Sequence, residues 1–160
     1  MQLFRQHVLD PRRRGAGLTA GLMAALLAAG VSAAPPDLPL RTLARGQNGA
    51  ITQSGRQVIR DRKAWEALWK QQFPGSAGSR VPAVDFSREM VLAAFQGQQT
   101  TGGYAIAITG ARLQGKQVVV TVEEQTPPPD AITTQALTSP FHFVAVKRSP
   151  LSVKWTARRH

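Results

Sequence analysis

The chain has 160 residues, no cysteine, and a formal net charge of +11 that comes from 20 basic and 9 acidic residues. A cysteine-free sequence excludes disulfides, thiolate metal sites and cysteine nucleophiles. It also excludes a lipoprotein whose lipid is attached to an N-terminal cysteine.

The first 33 residues have the three parts of a secretory signal peptide, in the order that export requires. Arg12, Arg13 and Arg14 provide a positive n-region, an uncharged segment rich in alanine and leucine follows, and small residues end at Ala33. We therefore expect cleavage near Ala33 and a periplasmic or extracellular protein that meets the membrane only during export. Removing four arginines and one aspartate lowers the formal net charge from +11 to +8.

An uncleaved membrane anchor is the alternative for this segment, because residues 15–34 carry no charge over 20 residues. The strongly apolar part is shorter than a bilayer span and prolines follow it, which favours cleavage. Residues 34–49 are then expected to form a flexible, proline-rich N-terminal arm. The remainder, residues 50–157, is long enough to bury a core of its own and is expected to be a single domain. Both the general secretory route and the twin-arginine route are left open.

Residues 61–72 give the first strongly periodic signal, which predicts a helix. Asp61 is suited to cap its first turn, because a carboxylate accepts hydrogen bonds from exposed amides there. Trp65, Leu68 and Trp69 follow at helical spacing, so they fall on one face that must be buried. We therefore place these three side chains in the hydrophobic core.

Three later segments predict strands of a sheet. The continuous apolar run over residues 90–95 fits a strand that is covered on both faces, although periodicity alone also allows a buried helix. Residues 104–109 and 117–123 each alternate in side-chain character, and Gln114-Gly115 between them predicts the turn of an antiparallel hairpin.

Residues 141–147 alternate in the same way and predict a further strand, and residues 151–155 predict a final edge strand before a solvated tail. The expected fold class is α+β, with an antiparallel sheet of four to six strands and the helix packed on one face. The predicted core comprises Trp65, Leu68, Trp69, Ile106, Ile108, Val118, Val120, Phe141 and Phe143.

Residues suited to catalysis or metal binding are few. His142 lies between Phe141 and Phe143 in a predicted strand, which favours a hydrogen-bonded structural histidine over a general base. Serine is never found in a Gly-x-Ser-x-Gly elbow, and alternation sends Glu123 and Glu124 to opposite faces of a strand. We therefore expect a protein that is not an enzyme and binds no cofactor, metal or nucleic acid.

Two loops stand out as candidates for contact with a partner. Adjacent glycines before a strand allow a positive-φ turn or close approach of another backbone, and a tyrosine beside them offers a large amphipathic ring. A tight turn accounts for part of this signal. A run of three prolines marks the second loop as extended and outside any central strand. The candidate residues are Thr101, Gly102, Gly103 and Tyr104 in the first loop and Pro127, Pro128 and Pro129 in the second.

Four segments also match a known family in their order along the chain: the tryptophan-bearing helix at 61–69, Val84-Asp85-Phe86 to Met90-Val91-Leu92, Thr101-Gly102-Gly103-Tyr104, and residues 133–142 (TTQALTSPFH). Together they resemble the C-terminal domain of the protease-complex subunit PrcB. The resemblance implies an exported, non-catalytic subunit that binds a secreted subtilisin-like serine protease and supports its stability or assembly. The charge alone leaves a second possibility, which is an exported protein that binds a polyanionic component of the cell envelope.

Overall fold

Two β-sheets pack face to face, and a helix covers the outer face of the larger sheet. The computed structural model describes residues 37–75 and 80–160, and the predicted signal peptide of residues 1–33 lies outside these ranges. The described residues form seven strands and one helix, namely β1 (Arg41–Gly46), β2 (Gly55–Ile59), α1 (Arg62–Gln72), β3 (Glu89–Phe95), β4 (Ala105–Gln114), β5 (Gln117–Gln125), β6 (Phe141–Lys147) and β7 (Ser152–Arg159).

The larger sheet has the strand order β1-β6-β3-β2, with antiparallel neighbours throughout. The smaller sheet has the order β4-β5-β7, in which β4 and β5 are antiparallel and β7 runs parallel to β5. Gln114 pairs with Gln117 across a turn in which Gly115 has a φ of +57°. The predicted hairpin is therefore confirmed.

The first hydrophobic core fills the space between the two sheets. Because side chains alternate along a strand, each strand contributes every second residue to this layer, except where β4 shifts register between Ile108 and Gly110. The contributions are Met90, Leu92 and Ala94 from β3, Val144 and Val146 from β6, Ile106, Ile108 and Ala111 from β4, and Val118, Val120 and Val122 from β5.

The second core lies between α1 and the outer face of the larger sheet. It joins Trp65, Leu68 and Trp69 to Phe143 and to the intervening residues of β3. Strands β3 and β6 are therefore buried on both faces, which explains why residues 90–95 are continuously apolar rather than alternating. All nine side chains predicted to form the core are buried: Trp65, Leu68, Trp69, Ile106, Ile108, Val118, Val120, Phe141 and Phe143.

Hydrogen bonds of neighbouring residues define the two ends of α1. Asp61 is the N-cap, in an extended backbone conformation, and its carboxylate accepts a hydrogen bond from Ala64 N–H at 2.8 Å. At the other end, Phe73 N–H donates to Trp69 O at 3.0 Å, and Pro74 follows. Within the described residues, no helix is long and apolar enough to cross a membrane.

The predicted fold class needs a correction. The larger sheet has four antiparallel strands with α1 on one face, as predicted. The structure also has a second sheet of three strands, so a single sheet is wrong, and α+β is only an approximate description of this mainly β fold. Alternation along a strand reveals which of its faces is buried. It does not reveal to which sheet the strand belongs.

The folded region also extends further toward both termini than the sequence predicted. The flexible arm expected over residues 34–49 is wrong for β1, which pairs with β6, and Leu38 is buried in the first core. At the other end, the solvated tail expected at Arg158, Arg159 and His160 is wrong, because β7 continues to Arg159 beside β5.

Candidate partner-binding surface

Two long connections meet at one end of the sandwich. Residues 96–104 connect β3 to β4, and residues 126–140 connect β5 to β6, so each crosses from one sheet to the other. Phe95 pairs with Phe141, and Gln96 Nε2 donates to Gln125 O at 3.1 Å. The ends of all four strands are therefore close together, and the two connections must pack against each other.

Hydrogen bonds join the two connections along their length. Gln99 and Thr138 exchange backbone hydrogen bonds of 2.7 and 3.0 Å. Gly102 N–H donates to Thr134 O at 2.9 Å, and the hydroxyl of Thr138 donates to Thr101 O at 2.9 Å. Because so much of its backbone is bonded, the connection of residues 126–140 is held in a defined conformation despite having no regular secondary structure.

Of the two glycines in the first loop, Gly103 is required by this contact, whereas Gly102 is close only to the side chain of Thr134. Gly103 has a φ of +89°, and a Cβ atom added there would lie 2.9 Å from the Cβ of Pro127. A Cβ atom added to Gly102 would lie 2.4 Å from the hydroxyl oxygen of Thr134. The structure thus brings both predicted binding loops into one surface, since Gly103 of the first packs on Pro127 of the second.

Exposure differs among the predicted binding residues. Gly103, Pro128 and Pro129 are exposed, whereas Gly102 is buried and serves the packing between the loops. The remaining three, which are Thr101, Tyr104 and Pro127, are partly buried. Their contact with a partner stays a prediction.

Two residues that the sequence reasoning missed dominate this surface. Ile132 is fully exposed and Leu137 is 65% exposed, and they are the large exposed hydrophobic side chains of the described chain. Both belong to the connection of residues 126–140. The available signal was that each is an isolated apolar residue in a polar stretch with neither helical nor strand periodicity. We call five exposed residues of the two loops the loop surface: Gly103, Pro128, Pro129, Ile132 and Leu137.

Leu137 also borders a groove of about 500 Å³ between this connection and the C-terminal end of α1. The side chain of Gln72 is 1% exposed at its base, where Oε1 accepts a hydrogen bond from Ile51 N–H at 3.3 Å. Phe73 and Pro74 form part of the wall.

His142 is separate from the loop surface and holds the two sheets together. Its Nδ1 accepts a hydrogen bond from Ile108 N–H of β4 at 2.9 Å, and its Nε2 lies 3.1 Å from the hydroxyl of Thr42 in β1. The acceptor role of Nδ1 fixes the neutral ring with its proton on Nε2. Burial, with a smaller contribution from the charge of Arg45, lowers the pKa of His142 to about 4.

The acidic residues near the end of β5 are held apart. Glu124 forms ion pairs with Arg56 and Arg159, while Glu123 borders a different groove together with Arg158. No group of three potential metal-binding side chains lies together within residues 37–75 and 80–160.

One protein-family model matches the part of the chain that carries both loops. The family model described as PrcB C-terminal matches residues 90–147, which extend from β3 to the last residue of β6 and include both loops. The helix and residues 84–86, which also contributed to the resemblance, lie outside the matched range. Neither a curated protein nor a solved structure matches the chain. Over residues 90–147 this chain is thus similar to the PrcB C-terminal family, which confirms the resemblance inferred from the sequence.

Proposed function

We propose that this chain is an exported, non-catalytic protein that associates with a protease complex and binds an exported partner, a serine protease, through the loop surface. The observation that carries the proposal is the position of Ile132 and Leu137, which are exposed on a connection fixed by hydrogen bonds. Large apolar side chains cost free energy in water and are the usual anchors of protein interfaces. The family match supports the choice of a protease complex.

The loop surface is suited to recognition because it is ordered before binding. A partner that covers about 800 Å² of each protein must offset the loss of translational and conformational freedom. The hydrogen bonds that join Gly102 to Thr134 and Gln99 to Thr138 have already fixed the backbone. The free energy gained by burying Ile132 and Leu137 is therefore available for affinity.

A non-catalytic role is supported by the state of His142. A general base at neutral pH works best with a pKa near the operating pH, and its ring must reach a substrate. His142 has a pKa of about 4, it is 5% exposed, and both of its ring nitrogens are within hydrogen-bonding distance of protein groups. We therefore assign it to the structure of the sandwich.

Replacing both anchors, as Ile132→Ser with Leu137→Ser, is expected to weaken partner capture by roughly 2 kcal/mol or more, about 30-fold in affinity. The measurement is capture from the native envelope fraction by the tagged chain, followed by titration of the purified partner. Tyr104→Ala is expected to weaken capture as well, since Tyr104 directly follows Gly103 of the loop surface, and to leave the fold intact.

Gln135→Ser is the matched control, because Gln135 is an exposed polar residue of the same connection. It should capture the partner as well as the unmodified chain. Equal capture by the double variant would contradict the proposed role of the loop surface.

A polyanionic envelope component is the second candidate ligand, and the outer face of the smaller sheet favours it. Arg112, Lys154 and Arg158 are exposed on that face, where Arg112 and Lys154 both align with Val119. Salt separates the two functions. Binding by charge alone weakens steeply as ionic strength rises, whereas binding through Ile132 and Leu137 persists.

Export is part of the proposal, and it predicts that the mature protein begins at Ala34. Intact mass measurement of the protein recovered from outside the cytoplasm should show the loss of residues 1–33. Ala33→Phe should block cleavage, because the processing site requires small side chains, and Ala33→Ser should allow it. Recovery of the full-length chain from the cytoplasm alone would contradict export.

A further inference from the structure

The smaller sheet has an open edge along β7. This strand is last in the order β4-β5-β7 and pairs only with β5 among the described residues. At its end, His160 N–H donates to Glu124 O at 3.0 Å, and Thr126 N–H donates to His160 O at 2.9 Å. Because backbone groups alternate in direction along a strand, the even-numbered residues of β7 bond to β5 and the odd-numbered residues face the open edge.

The edge combines unpaired backbone groups with two rows of side chains. Within the described chain, the N–H and C=O groups of Val153, Trp155 and Ala157 have no backbone partner. The inner row contains Val153 and Trp155, which are partly buried against the first core. The outer row contains Lys154 and Arg158, which are exposed and form no ion pair with any described residue. An edge of this kind is a template for another strand.

From this geometry we infer that the β7 edge binds an extended acidic segment of another protein by β-strand addition. Such a segment would pair with the open backbone groups and continue the pleat of the sheet. Lys154 and Arg158 are four residues apart on one face, so acidic residues four apart in the added strand would lie beside them. The two alternate residues between those acids would lie beside Trp155 and Ala157 and are best apolar.

Charge argues against a second copy of this chain as the occupant. Any antiparallel pair of β7 strands would bring Lys154 and Arg158 of both copies to one edge, and a pair centred on Thr156 would place Lys154 of one copy directly opposite Arg158 of the other. Like charges opposite each other in a sheet are destabilising. On the outer row, Glu123 of β5 aligns with Arg158, but Lys154 aligns with Val119 and has no carboxylate beside it in the sheet to offset the repulsion.

The probe is a fluorescent eight-residue peptide of alternating glutamate and valine, titrated into the full chain and followed by anisotropy. Two control peptides have the same sequence. One is N-methylated at the amides of its odd-numbered residues and the other at those of its even-numbered residues, so that one of the two lacks the N–H donors that would bond to β7. We expect saturable binding of the unmodified peptide and a loss of about tenfold or more for at least one control. Absence of binding, or equal binding of all three peptides, would overturn the inference. The second outcome would indicate attraction by charge alone.

Two variants test whether the peptide binds at the β7 edge. Ala157→Pro removes an N–H that faces the open edge and leaves the even-numbered hydrogen bonds to β5 intact, so it should abolish peptide binding without unfolding the sheet. The double variant Lys154→Glu with Arg158→Glu should no longer bind the glutamate peptide. It should instead bind a peptide in which lysine replaces each glutamate. Lys63→Glu with Lys70→Glu, which makes the same charge change on exposed residues of α1, is the matched control and should bind normally.

The result does not depend on the function proposed for the loop surface. The variant with Ile132→Ser and Leu137→Ser should bind the peptide normally, so failure of one surface can be told from failure of the other. If Ala157→Pro and the double charge reversal both bind the glutamate peptide unchanged, the peptide binds elsewhere and the inference is wrong. Self-association of the unmodified chain that Ala157→Pro abolishes would show that the edge holds a second copy, and it would overturn the inference equally.

Discussion

Replacing Trp65 with alanine is expected to lower the free energy of unfolding by about 3 to 5 kcal/mol, because the change leaves a cavity at the centre of the second core. The Trp65 side chain is 1% exposed. Its ring lies edge-on to Trp69 at 5.3 Å and to Phe143 at 5.6 Å, measured between ring centroids. Its Nε1–H donates to Pro82 O at 3.0 Å, so alanine also leaves that partly buried carbonyl without its donor.

Urea denaturation monitored by circular dichroism measures this effect. Lys63→Ala is the control on the same helix, since Lys63 is exposed and should change the free energy of unfolding by no more than about 0.5 kcal/mol. An unfolding midpoint for Trp65→Ala that matches the control would mean that α1 does not pack on the larger sheet.

Local signals were sufficient to predict the elements at the centre of the fold. The spacing of Trp65, Leu68 and Trp69 marks a helix face, and Asp61 provides a cap at its start. The apolar run of β3 required cover on both faces, and the structure supplies it with α1 on one side and the smaller sheet on the other. Each of these signals depends on residues that are close together in the sequence.

The edges of the sheets were harder to predict, because their stability comes from distant partners. Arg41, Thr42 and Arg45 of β1 are exposed and show no apolar alternation, and the strand exists because it pairs with β6 about 100 residues later. The parallel pairing of β7 with β5 is likewise invisible locally. A hairpin turn predicts its own two strands, but no turn joins strands that are parallel neighbours.

The candidate surface was predicted in part for the same reason. Gly102 and Gly103 gave a conformational signal that the structure explains through contacts with Thr134 and Pro127. The contact itself joins residues more than 20 positions apart, so the sequence presented the two loops as separate candidates. The sequence did not identify Ile132 as a candidate, because loops have no periodic pattern against which an exposed apolar residue stands out.

Lowering the pH from 7 to 4 is expected to destabilise the protein through His142. In the fold, burial and then Arg45 lower the pKa of this ring to about 4, whereas the unfolded chain has the ordinary value of 6.5. Protonation of Nδ1 would set two donors against each other, because Ile108 N–H points at that atom. The unfolded chain therefore binds a proton between pH 6.5 and 4 that the folded chain does not, and stability falls with pH across this window.

Above pH 6.5 the neutral His142 ring makes its full contribution to stability. This contribution decreases as the pH falls from 6.5 to 4, and about 3 kcal/mol of stability has been lost below pH 4. Urea denaturation at a series of pH values measures it. His142→Gln is the control, since glutamine keeps polar groups in place but cannot take up a proton, so its free energy of unfolding should vary much less between pH 7 and 5. The ring can also be followed directly by NMR, where His142 should not titrate until the pH is well below 6. A His142 resonance that titrates near pH 6.5, or equal pH dependence in both proteins, would show that the ring is not held neutral between the sheets.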